Sequence, residues 1–129
     1  MEKIASMSLL VVEDSDSVRN LIVKILKRNG IEKITQAKDG KQALDIVTVL
    51  RPDLIISDLI MPRMNGVELL ANIQKVPEFK AIPFVVLTSK TDDSTFKQIM
   101  KMGAADYIRK PFGEEALMVK IKSVAEWLP

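Results

Sequence analysis

Five short β-branched or apolar runs alternate along this chain with five longer stretches of helical periodicity. The short runs occupy residues 9–12, 33–37, 54–57, 84–88 and 106–109. Runs this brief and nearly continuous suit strands covered on both faces of a parallel sheet. The longer stretches cover 15–29, 41–50, 67–74, 94–102 and 114–128. In the first, Val18, Leu21, Ile22, Ile25 and Leu26 line one helical face, with Ser15 or Asp16 as cap and Gly30 just past the end. The second carries Ala43, Ile46, Val47 and Leu50 and is closed by Pro52; the third carries Val67, Leu70 and Ile73. Pro77 and Pro83 mark a loop after it. The fourth carries Phe96, Ile99 and Met100, and the fifth Leu117, Ile121, Val124 and Leu128.

Strict strand–helix alternation predicts an α/β fold, because each crossover must return the chain to the same edge of a parallel sheet. Five repeats without a Gly-rich dinucleotide fingerprint point to a flavodoxin-like (βα)5 three-layer sandwich. Its five-stranded parallel sheet would run in the order 2-1-3-4-5. Residues 1–129 make one domain, with enough apolar material (47%) for one core and enough charge (28%) for solubility.

Composition narrows the chemistry. No apolar run approaches the roughly 20 residues needed to cross a bilayer, and the opening MEKIASMS lacks the apolar region of a secretion signal. The absence of cysteine excludes disulfides and thiolate chemistry. A cytoplasmic protein with no membrane partner is expected. The net charge of +2, with both signs mixed, supplies no basic stripe for direct nucleic-acid binding. The chain also has no histidine, so any metal must be held by oxygen and any phosphohistidine must belong to another protein.

Open α/β sheets bind ligands beyond the carboxyl ends of their strands. Strand one ends in Glu13–Asp14, strand three in Asp58, strand four in Thr88 and strand five in Lys110. Each has an ordinary explanation taken singly: Asp14 as a helix cap, Glu13 as a turn residue, Thr88 as a strand-end hydroxyl, Lys110 as a surface charge. Asp58 resists it, since it follows the apolar run LIIS and charged residues are seldom buried without a partner. Two like charges about 4 Å apart repel by about 4 kcal/mol at an effective dielectric near 20. Three clustered carboxylates must therefore take up a proton or bind a cation. Oxygen donors select a hard ion, and too few are available for calcium, which leaves Mg2+ with its retained waters and a bridging phosphate. The acidic loop after strand one would repel a bare nucleotide phosphate, so a phosphoryl group must arrive with metal or onto a carboxylate.

The residues at these positions resemble the receiver domains of bacterial response regulators, of the chemotaxis-regulator type, over nearly the whole chain. LLVVEDSDSVRNLI resembles the family's first strand and acidic pair, and PDLIISDLIMPRMNG its phosphoacceptor strand and loop. PFVVLTSK is similar to its hydroxyl strand and GAADYIRKPF to its lysine–proline element. The resemblance implies that Asp58 accepts a phosphoryl group, with Thr88 and Lys110 contacting the phosphoryl oxygens. It further implies Mg2+ held by Asp14, Asp58 and the backbone carbonyl of Ile60, with Glu13 acting mainly through a metal-bound water. Tyr107 becomes the switch aromatic that follows Thr88, and the Lys110–Pro111 bond is expected to be cis.

On this resemblance the chain is a phosphorylation switch of a two-component system, not an enzyme with a separate substrate. Its donor would be a sensor histidine kinase or a phosphotransfer protein, and its output an unidentified partner or attached effector domain. A monomer, or a weak phosphorylation-dependent dimer, is expected. Three departures stand out. Glu13 replaces the commoner Asp. Gly113 offers no side-chain cap, so the last helix is expected to fray at its start. Ile60 and Lys90 flank the route of the attacking water, which neither is suited to orient. Two rivals fit less well. An aspartate-nucleophile phosphatase would want a second Asp where Ile60 stands, and a degenerate docking module would not need Asp14, Asp58, Thr88 and Lys110 intact.

Overall fold

A computed structural model describes residues 2–89 and 93–126. Five strands, β1 (Ser8–Val12), β2 (Lys33–Ala37), β3 (Leu54–Asp58), β4 (Phe84–Thr88) and β5 (Asp106–Arg109), form one sheet in the order β2-β1-β3-β4-β5. All four pairings are parallel. The expected order therefore holds. Central β3 and β4 are buried at every position, whereas β2, at one edge, shows an exposed Lys33 and Gln36. That edge position explains why 33–37 tolerates polar side chains.

Helices cover both faces, as period-two alternation along the strands requires. Leu9 and Val11 of β1 face one core with Ile56 and Leu87. On that side pack α2 (Asp16–Arg28) through Ile22, Ile25 and Leu26, and α7 (Glu114–Ala125) through Leu117 and Ile121. Leu10 and Val12 face the other core with Ile55, Phe84 and Val86. There α3 (Gly40–Leu50), α4 (Gly66–Gln74) and α6 (Asp93–Lys101) contribute Ala43, Val47, Leu69, Leu70, Ile73 and Ile99. Each fully buried Leu or Ile contributes about 1.5–3 kcal/mol, which is why these stripes decide where the helices sit.

Two short helices lie outside the five-repeat pattern. The first, α1 (Glu2–Ser6), brings Ile4 into the first core, with Met7 just beyond it. The second, α5 (Pro77–Lys80), occupies the stretch expected to be loop; Pro77 sits in its first turn, where a missing N–H costs nothing, and Phe79 is buried. Some stripe residues also turn outward: Leu21, Leu50 and Phe96 are exposed. Leu128, assigned to the last helix on periodicity, lies outside the described residues.

Caps set the helix starts. Ser15 caps α2 by accepting from the Val18 N–H, Asp39 caps α3 through Gln42, and Asn65 forms a reciprocal capping box with Glu68 on α4. Gly113 supplies no such bond to α7. The first turn is held from outside instead: Glu114 accepts from Arg28 Nη2 at 2.6 Å and from Asn29 Nδ2 at 2.9 Å. The Arg28 hydrogen bond, followed by that from Asn29, lowers the Glu114 pKa below its ordinary value. A lowered carboxylate pKa stabilises the fold above the unfolded pKa, near 4.3, and ceases to do so as pH falls through the folded one. Glu114→Gln should therefore lower the urea midpoint slightly at neutral pH, as expected for an exposed pair, and converge on wild type in acid. A constant difference across that range would show that the carboxylate charge is not what tethers α7.

Candidate functional site

The carboxyl ends of β1, β3, β4 and β5 bring the expected residues to one edge of the sheet. Beyond β1, the Glu13 N–H continues the ladder to the Ala37 carbonyl at 3.0 Å. This fixes Glu13, only 1% exposed, at the mouth. Both of its carboxylate oxygens are engaged: Oε2 accepts from the Ser15 N–H at 3.0 Å and Oε1 from Lys110 Nζ at 2.8 Å. Asp14, the next residue, is exposed. Asp58, at the end of β3, is 9% exposed. Its Oδ1 accepts from the Leu59 N–H at 2.8 Å and its Oδ2 ion-pairs with Lys110 Nζ at 3.1 Å.

Lys110 thus bridges Glu13 and Asp58. Burial opposes its charge, but the hydrogen bonds to Glu13 and Asp58 and their negative charges outweigh that, and its pKa stands above that of an ordinary lysine. Ligand oxygens of Glu13, Asp14 and Asp58 all lie within 4.8 Å of one another. Three carboxylates against one ammonium leave the mouth negative, and the donors are hard oxygens, so the residues fit a divalent cation of the Mg2+ kind. Thr88 is 4% exposed and lies one position past the partner of Asp58 in the β3–β4 register. The Lys110 N–H donates to the Thr88 carbonyl at 2.9 Å, and the Lys110–Pro111 peptide is cis, as expected.

The β3–α4 loop leaves Asp58 and closes on itself through the Gly66 N–H, which donates to the Leu59 carbonyl at 2.8 Å. Ile60 projects from this loop, 61% exposed, and Lys90 lies outside the described residues. Tyr107 is half-buried on β5. The Phe96 ring meets it edge-on at 4.8 Å, and Lys120 Nζ stands 5.3 Å over its face while pairing with Asp106 at 3.1 Å. Periodicity assigned Phe96 to the α6 core stripe; its ring is instead the neighbour of the aromatic on β5.

Three charged residues near the mouth escaped sequence reasoning. Arg19 is buried and donates through Nη1 to the Glu13 carbonyl at 2.8 Å and through Nε to Gln36 Oε1 at 3.1 Å. Asp39 is buried at the start of α3, and Arg63, in the β3–α4 loop, pairs with it. Only Asp39 left a readable signal, the Asp39–Gln42 spacing of a capping box.

A family model described as "Response regulator receiver domain" matches residues 9–122. This chain belongs to that family. Among the receiver's relatives is the DNA-binding response regulator MtrA of Mycobacterium tuberculosis, 35% identical over 115 residues, covering 89% of this chain and 49% of that protein. A protein-glutamate methylesterase/protein-glutamine glutaminase of Archaeoglobus fulgidus is 36% identical over 124 residues, 95% of this chain and 34% of that protein. The chain thus spans about half the length, or less, of the curated relatives it matches. Among solved structures, the chemotaxis response regulator CheY4 of Vibrio cholerae superposes with a TM-score of 0.86 at 32% identity, over 92% of the receiver and 99% of that chain. Phosphorylation and magnesium are typical of the family, whose members interact with histidine kinases or phosphotransfer proteins and are generally not substrate-turnover enzymes. Among the described residues, no helix is long and apolar enough to cross a membrane.

Proposed function

We propose that this receiver is a cytoplasmic switch that accepts a phosphoryl group from a partner's phosphohistidine onto Asp58 and passes the signal to an output partner through Thr88 and Tyr107. The observation that carries this reading is the cluster of Glu13, Asp14 and Asp58 oxygens within 4.8 Å, with Lys110 bridging two of them. An Asp58 carboxylate oxygen attacks phosphorus in line. The phosphorus–nitrogen bond to the donor imidazole breaks, and its electron pair returns to the ring. Lys110 is already within ion-pairing distance of Asp58 and neutralises charge on the transferring oxygens. Asp14, Asp58 and the Ile60 carbonyl would hold Mg2+, with Glu13 reaching it through water, since its two oxygens are already engaged. The ion supplies Lewis-acid charge neutralisation at the phosphoryl oxygens when bound.

Acceptance is tested by intact-mass spectrometry with acetyl phosphate as donor. A single phosphate-sized gain should appear with Mg2+ and vanish with chelator; no gain under any condition would overturn the proposal.

Readout follows from packing. New acceptor oxygens on Asp58 attract the Thr88 hydroxyl and free space beside Tyr107, on the neighbouring strand. Tyr107 is held by Phe96 and Lys120, so its movement would alter the α6–β5–α7 face. Lys97, Lys101 and Arg109 are exposed there, whereas Lys120 is committed to Asp106 and Tyr107 and Lys122 lies beside Asn29 on the α2 side of α7. An acidic partner suits the remaining three. A partner shifts such an equilibrium only through differential affinity for the two states. Beryllofluoride with Mg2+ should move amide resonances from the mouth through 97–109 in wild type. In Thr88→Ala the movements should stop at the mouth. Wild-type shifts confined to the loops around Asp58 would defeat this route.

A further inference from the structure

We propose that Arg63 is a positioning residue for the Mg2+–phosphoryl mouth, acting by stapling the β3–α4 loop to the start of α3 through Asp39. The inference rests on the proposed metal reading of the mouth and deepens it.

Arg63 sits three residues after Ile60 and adopts φ +66°, the left-handed region that disfavours a side chain. A non-glycine residue there needs something to hold it. Its guanidinium provides that hold: Nε and Nη2 approach the same Asp39 oxygen, Oδ2, at 2.8 and 2.7 Å. The receiving carboxylate is itself fixed. Asp39 is 4% exposed, and its other oxygen, Oδ1, accepts from the Gln42 N–H at 2.8 Å as the α3 cap. That backbone hydrogen bond, together with Arg63, outweighs burial and keeps the Asp39 pKa below its ordinary value.

The backbone beside this pair is equally close. The Gly40 N–H donates to the Met64 carbonyl at 2.9 Å, and a Cβ on Gly40 would stand 2.3 Å from that oxygen. The loop is thus anchored before Ile60 at Leu59, through the Gly66 N–H, and after it through Arg63 and Met64. Holding donor atoms in place before the cation arrives raises affinity, because less freedom is lost on binding. Arg63 touches neither metal nor phosphoryl group; it acts through the loop.

The test is Mg2+ titration of the intact chain, followed by NMR, for wild type, Arg63→Ala, Arg63→Lys and Asp39→Asn. Asparagine keeps the helix cap and removes only the charge that Arg63 needs. Arg63→Ala and Asp39→Asn should each weaken Mg2+ affinity about tenfold, the low end of what outer-shell substitutions cost. Their combination should be no worse than either alone, because both remove one interaction. Arg63→Lys should recover part of the loss. In metal-free protein, the Gly40 and Gly66 amides should exchange faster in Arg63→Ala while core amides stay unchanged. If Arg63→Ala fails to fold, Asp39→Asn carries the comparison. Wild type without a Mg2+ response would defeat the proposed function. A wild-type response matched by undiminished affinity in Asp39→Asn and either Arg63 variant would defeat the role of Arg63 alone.

Discussion

Replacing Asp58 with asparagine should abolish Mg2+-dependent labelling by acetyl phosphate, leaving no phosphate-sized mass gain at conditions that saturate wild type. The amide cannot act as the oxygen nucleophile, and no neighbouring carboxylate has the same setting. Glu13 has both oxygens engaged, and Asp14 is exposed. Loss of the fold is not the expected cause. The substitution removes one partner of Lys110 at 3.1 Å but leaves Glu13 at 2.8 Å. It also removes repulsion among three clustered carboxylates. At an effective dielectric near 20 each of these effects is about 4 kcal/mol per close pair, so they largely offset. The urea midpoint should stay close to wild type while labelling disappears. Undiminished labelling of Asp58→Asn at another residue would remove Asp58 from its proposed role.

Gly66→Ala should damage both stability and phosphorylation, through backbone contact and not through lost chemistry. A Cβ at Gly66 would stand 2.3 Å from the Asp58 carbonyl oxygen and 2.9 Å from Leu59 Cα. Both atoms are backbone, so no rotamer change relieves the clash. Either α4 retreats or the end of β3 shifts, and β3 is buried at every position. A cost of about 3 kcal/mol is expected, at the top of the overpacking range. A shift of the β3 end would displace Asp58 from Lys110, so the labelling rate of the folded fraction should fall as well. Urea denaturation and initial labelling rates check the two effects separately. A stability change within about 0.5 kcal/mol, the scale of an indifferent surface substitution, would show that the loop yields easily.

The parallel α/β class and the edge of the sheet that carries the site were legible in the chain because both follow from local pattern. Short apolar runs can be buried on both faces only in a covered parallel sheet. Parallel crossovers then bring all strand ends of one sense to one edge, and with them Glu13, Asp14, Asp58, Thr88 and Lys110. Periodicity likewise placed all five long helices within a few residues of their described bounds. It could not place α1 or α5, which are too short to show a period and are held by burying Ile4 and Phe79. Nor could it say that Leu21, Leu50 and Phe96 face outward, since the width of a buried stripe depends on what packs against it. The pairings inside the site were decided by tertiary structure alone. Glu13 meets Lys110 across 97 positions, and Arg63 meets Asp39 across 24. No periodic signal links residues so far apart. Whether a charge is exposed, capped or paired depends on which neighbour the fold delivers within 3 Å of it, and that distance exists only once the two cores have packed.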